Sequence, residues 1–446
     1  MSKSRVAQVG PLFFLILAAC SGSVEESPEP PPAIAPTPSD PPPSRPPPTD
    51  DPPADDPNLE PSTLAATEWG SEVQMAISNK GRILVSWIAL SLNGASIDYA
   101  ISTDGGVTFG AVQNVESDAP VLGDPVAAAL DDGSFLVGGL QGKCSGIATC
   151  SNVSIFVGKV GPTGDTNTLV TPVFQGDHGL IDHPWMQATD AGVFLIGVSD
   201  DGATSSKLTV WRTKDSGSSW DARDLPLSTG QAAIPRFCSG DRTRLWAHYY
   251  GGSSPSYSTL VWSDAAADTW TGHEIEAVSP AHADALVTGA CSAKGTIVYD
   301  LLGSMDDDAF GTENESKTPL YHDLRIVSSG DDGKTWQDSG SIADAGALYL
   351  LPQMLVEPDG SIDVTYYRGT VEDGDATMEL RHSTDGGKTF GAPKILAKDL
   401  RLVADRASRA WLGDYTAIVM GPTGPIAAFA DNSESTTRVR VSRPRM

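Results

Sequence analysis

Ser383-Thr384-Asp385-Gly386-Gly387-Lys388-Thr389-Phe390 decides how this chain is read, because the chain writes the same phrase, Ser-x-Asp-x-Gly-x-Thr-aromatic, repeatedly. It stands again at Ser102–Phe109 and at Ser329–Trp336. A looser copy runs from Thr213 to Trp220, and a decayed one from Ser263 to Trp270 keeps the Ser and the Thr-Trp end. Each position has a task in a tight hairpin. The Asp (Asp104, Asp215, Asp331, Asp385) is short enough to accept hydrogen bonds from backbone N–H groups just ahead of it. The Gly (Gly106, Gly217, Gly333, Gly387) allows a positive φ where the chain reverses. The closing aromatic begins the next strand and packs between sheets. The phrases start at 102, 213, 263, 329 and 383, so the gaps are 111, 50, 66 and 54. The first gap is two units with one copy lost near residue 157, and a period of about 55 residues is typical of propeller blades.

Outward from the phrase, the sequence reads as short strands. Glu72 to Ser78 supplies an inner strand, Arg82 to Leu90 a second and Ile97 to Ser102 a third; the phrase follows, then Ala111 to Val115. The order recurs with inner strands near 125–130, 184–189, 234–238, 285–291, 350–356 and 415–420, most of them followed by Gly-containing turns such as Asn-Lys-Gly and Pro-Asp-Gly. The expectation is an all-β chain, a β-propeller of four-stranded antiparallel blades. Seven blades are expected, with six as the alternative. The last unit (Gly413 to Pro444) has three strands, so Leu59 to Thr67 is expected to supply its fourth and close the ring.

The repeated phrase resembles the Asp box, or BNR repeat, of the sialidase superfamily, and the resemblance covers roughly residues 60 to 446. It implies a propeller with the box between the third and fourth strands of a blade, on the face away from the active site. It also implies a retaining glycosidase with a Tyr nucleophile paired with a Glu, an Asp acid/base and three Arg that clamp the substrate carboxylate. A phenol meets less repulsion than a carboxylate would at an anomeric carbon that already bears a carboxylate, and Arg gives bidentate, permanently charged recognition. Gly413-Asp414-Tyr415-Thr416-Ala417-Ile418 resembles the family's Tyr-Ser-x-Leu stretch, which makes Tyr415 the candidate nucleophile. The chain also departs from the family. Where the family has Arg-Ile-Pro before the first box, it has Glu68-Trp69-Gly70-Ser71-Glu72, and the loop Ser91–Ser96 holds Asn93 and no Asp.

The loops that lead into the inner strands of a propeller converge on one mouth, and polar residues recur there in this sequence. Asp124 and Asp182 are the candidate catalytic carboxylates beside Tyr415; Arg236, Arg409, His183, Asp284 and Asp414 are the candidate substrate-binding residues. Two readings follow. One is a glycoside hydrolase acting on terminal, sialic-acid-type sugars of extracellular glycans. The other is a non-catalytic propeller that binds a glycan, polysaccharide or protein.

The termini and the charge set the location. Residues 1–19 read as a lipoprotein signal peptide, with Lys3 and Arg5 before the apolar run Pro11–Leu17, and Leu17-Ala18-Ala19-Cys20 matches the bacterial lipobox. Cys20 is the expected lipidation site, and residues 20–61 are a Pro-rich, disordered stalk that holds the 62–446 propeller off the membrane. This places the chain at the bacterial cell surface or in the periplasm, with the outer membrane the favoured site, in contact with the membrane through its lipid only. The net charge of −27, from 57 acidic and 30 basic residues, argues against a nucleic-acid partner. A monomer is expected. Cysteine usage fits an oxidising compartment, with Cys144–Cys150 and Cys238–Cys291 as the expected disulfides. No cofactor is expected. The acidic loop Met305–Ser316 (Asp306, Asp307, Asp308, Glu313, Glu315) has oxygen ligands suited to Ca²⁺, but it lacks the spacing of a calcium loop and reads first as a solvated loop.

Overall fold

The computed structural model describes residues 60–445 except 67–68, 92–93, 145–149, 165–166, 176–179, 201–205, 226–232, 241, 243, 251–257, 265–268, 276–285, 306–319, 371–374, 404–407, 409 and 435. The described residues form strands and turns without a helix. The first sheet sets the pattern. Gly70–Ile77 pairs antiparallel with Ile83–Ser91, that strand with Gly94–Ser102, and that one with Gln113–Asn114. The repeated phrase Ser102–Phe109 is therefore the turn between the third and fourth strands. The same up-and-down order builds four further four-stranded sheets and one eight-stranded path, which is two four-stranded units joined by the single pair Tyr321–Tyr349.

Packing turns this row of sheets into a ring. Each hydrophobic cluster draws on two consecutive sheets. Ile97, Tyr99 and Phe156 link the first to the second. Leu140, Leu195 and Trp211 link the second to the third. Phe429 and Leu350 join the last two, and Ala428, Val439 and Trp87 bring the last back against the first. A sheet covered on both faces needs apolar residues without alternation. Ile83, Leu84 and Val85 accordingly run consecutively and are all fully buried. Each such side chain contributes roughly 1.5–3 kcal/mol on burial. The ring closes with Ser62–Ala66, from the N-terminal side, pairing antiparallel with Arg438–Ser442, from the C-terminal end. The fold is an all-β propeller of four-stranded antiparallel sheets.

The repeated turns are built alike. In the first, Ser102 Oγ donates to Asp104 Oδ1 at 2.7 Å and accepts from Gly106 N–H at 2.7 Å. Thr108 gives its N–H to Oδ1 at 2.9 Å and its hydroxyl to Oδ2 at 2.6 Å. Thr213, Ser329 and Ser383 begin turns with the same four bonds. These bonds favour the ionised form. The hydroxyl four residues on is the largest cause in Asp104, Asp215 and Asp331, and the Thr389 N–H is the largest in Asp385; all four carboxyls are held at about 2.

Two cysteine expectations meet different outcomes. Cys238 and Cys291 form a disulfide between neighbouring sheets. Cys144 and Cys150 stand opposite each other in a hairpin register, but their side chains lie outside the described residues. Residues 1–59, with the signal peptide, Cys20 and nearly all of the stalk, also lie outside the described residues, as do 306–316 of the acidic loop.

Candidate functional site

The innermost strands share one irregularity. Register shifts between Ser71 and Gln74, Gly123 and Val126, Asp182 and Trp185, Ala233 and Arg236, and Leu350 and Gln353. Within four of these bulges a non-Gly residue takes the left-handed conformation: Glu72 (φ 53°), Asp124 (φ 53°), His183 (φ 48°) and Leu351 (φ 48°). Such a residue costs of order 1–3 kcal/mol and re-aims its side chain out of the sheet. Three of these bulges turn Glu72, Asp124 and His183 towards the mouth of the ring, while Leu351 packs into the hydrophobic cluster between the last two sheets. Gly413, with φ 94°, leads into the last inner strand, and a Cβ there would lie 2.3 Å from Glu72 N. Only glycine fits between the first and last sheets at that point.

Three of the re-aimed side chains join Tyr415. The Tyr415 hydroxyl donates to Asp124 Oδ1 at 2.9 Å and lies 2.6 Å from His183 Nδ1. The other Asp124 oxygen, Oδ2, accepts the His183 backbone N–H at 3.2 Å, and the Asp124 N–H donates to Glu72 Oε2 at 3.0 Å. Glu72 therefore fixes the loop that presents Asp124, and Asp124 fixes the phenol. With His183 Nδ1 protonated, the imidazole donates to the phenol oxygen while the phenol proton points at Asp124.

Arg236 closes this group. Its guanidinium lies 4.5 Å from the centre of the Tyr415 ring and 4.6 Å from that of Trp185. The residue is 4% exposed, yet its Nε and Nη1 have no hydrogen-bond partner. Burial draws its pKa down; the fields of Tyr415, Asp414, Asp124 and Tyr321 act the other way. Tyr321, at the start of the strand Tyr321–Ser329, is buried beside it, and burial pushes its hydroxyl well above the ordinary range. A buried cation with two orphan donors has the chemistry to receive an oxyanion.

The structure thus brings Tyr415, Asp124, His183 and Arg236 together, with the half-buried Asp414 in the field of Arg236. Asp182 is placed by its backbone alone, opposite Val198 and directly before His183. Arg409 and Asp284 lie outside the described residues, as does Asn93. Sequence reasoning gave no role to Glu72, Trp185 or Tyr321. Glu72 had a usable signal, since it holds the same place in its inner strand as Asp124 does. Tyr321 had none, because it comes from an outer strand.

No family model and no curated protein matches this sequence. Solved structures similar to the chain include a Penicillium chrysogenum α-L-arabinanase complexed with arabinobiose, at 13% identity and TM-score 0.49, covering 86% of this chain and 97% of that one. The GH93 α-L-arabinofuranosidase of Fusarium graminearum is similar at 13% identity and TM-score 0.48, covering 86% and 97%. A NanB sialidase from Streptococcus pneumoniae is similar at 11% identity and TM-score 0.44, covering 87% and 70%. With each TM-score below 0.5, activity has to be reasoned from the residues at the mouth.

Proposed function

We propose that the chain is a carbohydrate-directed propeller, a retaining exo-glycosidase of the sialidase type that acts on terminal sugars of extracellular glycans. The observation that supports it is the buried phenol–carboxylate pair, Tyr415 Oη to Asp124 Oδ1 at 2.9 Å, roofed by Arg236. In this reading the Arg236 donors take an oxyanion of the substrate. Tyr415 Oη bonds to the anomeric carbon as the glycosidic bond breaks, and its proton passes to Asp124. His183 stabilises the developing phenolate. Asp182 is the candidate acid for the leaving oxygen, and Asp414 borders the same space.

A second reading, glycan binding without hydrolysis, is favoured by the 1% exposure of Tyr415 and by Arg236 being the one arginine, among the described residues, found against this tyrosine. Hydrolysis of a fluorogenic sialoside and of neutral glycosides by the wild type and by Tyr415→Phe separates the two. The expected result is turnover that falls by more than about 1000-fold in the variant, as removal of a nucleophile does. No turnover of any substrate by the wild type ends the hydrolase reading, and retention on a glycan array then supports the second. We also propose a lipid anchor at Cys20, which would hold the chain on a membrane at the bacterial cell surface or in the periplasm, the outer membrane being favoured. Cys20→Ser should move it from the detergent phase to the aqueous phase.

A further inference from the structure

At the other end of an inner strand, away from Tyr415, lies a second group of chemistry-bearing side chains. Glu357 follows the strand Leu348–Val356, Asp363 is on Ile362–Gly369, and His382 is on Ala376–Ser383, one residue before a repeated turn. Asp363 and His382 face each other in the register of the two strands. His382 Nδ1 lies 2.9 Å from Asp363 Oδ1 and 3.9 Å from Glu357 Oε1. One donor atom from each of the three falls within 4.8 Å of the others.

The Asp363 side chain is 0% exposed, and neither its Oδ2 nor Glu357 Oε1, also shielded from solvent, meets a donor; the two carboxyls lie within hydrogen-bond reach of each other, so only a shared proton or a cation can satisfy both. A buried carboxylate oxygen left without a partner costs of order 1–3 kcal/mol or more. Ligands bound at about 2.0–2.2 Å to one ion stand about 3–4 Å from each other, and His382 Nδ1 stands 2.9 and 3.9 Å from the two carboxyls. Two carboxylates and an imidazole suit a borderline divalent cation. Ca²⁺ and Mg²⁺ take oxygen ligands almost exclusively.

We propose that Glu357, Asp363 and His382 form a binding site for a divalent transition cation of the Zn²⁺ or Mn²⁺ class. The cation ties the turn Glu357–Ser361 to the second and third strands of its sheet and leaves open coordination positions for water. It is a structural clamp on the face opposite the mouth, and it is independent of the activity proposed there. Burial and the adjacent Glu357 carboxyl crowd negative charge at Asp363, and a divalent cation relieves that crowding. Lys394 and Asp359 lie in the field of the same carboxyl, with opposite effects.

The test is calorimetric titration of the chelator-treated protein with ZnCl₂, MnCl₂ and CaCl₂, together with its thermal melting in each salt. The wild type should take up a single equivalent of Zn²⁺ or Mn²⁺ and melt at a higher temperature with it. Asp363→Asn and the part-exposed His382→Gln should each lower the affinity by more than about 100-fold, the upper end of what losing a merely orienting partner costs. His382→Gln guards against a folding failure in the Asp363 variant. Unchanged uptake in the folded His382→Gln protein would overturn the proposal by placing the ion elsewhere on this acidic surface. Binding of Ca²⁺ alone, or no binding at all, would overturn it too.

Discussion

Replacing Arg236 with Met should make the protein more stable while destroying its recognition of anionic ligands. The guanidinium is 4% exposed and leaves two donors, Nε and Nη1, without partners. Each buried, unpaired donor costs about 1–3 kcal/mol, so the two together cost about 2–6 kcal/mol. The faces of Trp185 and Tyr415, at 4.6 and 4.5 Å, return about 0.5–2 kcal/mol each. The middles of the two ranges leave a deficit of about 1.5 kcal/mol, which the attraction of Asp124 and Asp414 for the guanidinium reduces, so the gain expected of Arg236→Met is small, below about 1.5 kcal/mol. Met fills much of the same volume and keeps contact with both rings. Urea unfolding followed by tryptophan fluorescence reads the difference as a higher midpoint at constant m-value. A sugar carboxylate should raise the melting temperature of the wild type and leave Arg236→Met unmoved. A variant destabilised by more than about 1 kcal/mol would refute the reasoning, because Arg236 would then be a structural rather than a receptive cation.

Two further predictions rest on other parts of the ring. The Cys238–Cys291 disulfide closes a loop with a sequence separation of 53, so the double Cys→Ser variant should lose about 4 kcal/mol in denaturant titrations under the chain-entropy account; unaltered stability would show that the two sheets are held by packing alone. The four turn carboxyls Asp104, Asp215, Asp331 and Asp385 are lowered to about 2, against an unfolded value of about 3.9. A depressed carboxyl stabilises the fold above its unfolded pKa, and that stability is lost as pH falls towards the folded value. Acid unfolding should therefore steepen between about pH 4 and 2 and shallow in Asp385→Asn; identical acid curves would contradict it.

The fold was legible in the sequence because its signal is local. Ser383, Asp385, Gly387 and Thr389 satisfy one another within eight residues, so their spacing alone reports the turn, and the period of the turns reports the ring. The missing fourth strand was legible for a similar reason: the last unit lacked one, and Ser62–Ala66 supplies it. Half of the mouth was legible too, since Asp124 and His183 occupy matching places in the bulges of successive inner strands and Arg236 ends the next bulge. What was hidden depends on register and burial. Glu72 touches the site through a bulge that no propensity reveals, and Tyr321 arrives from a strand outside the inner row. The Glu357–Asp363–His382 group was invisible because its three members are joined across strands, not along the chain.

The strand that closes the ring also decides how the molecule would bear load. A pull applied through the residues before Glu60 arrives first at the bonds of Glu60 and Pro61 to Ile395, Arg443 and Arg445, and then at Ser62–Ala66, whose grip on Arg438–Ser442 is a short run of pairs interrupted between Leu64 and Ala66. That seam is the mechanical fuse of the ring. Tension on an N-terminal tether would open it before any other sheet, and the C-terminal strand would then be left as the edge of an unlatched stack of blades.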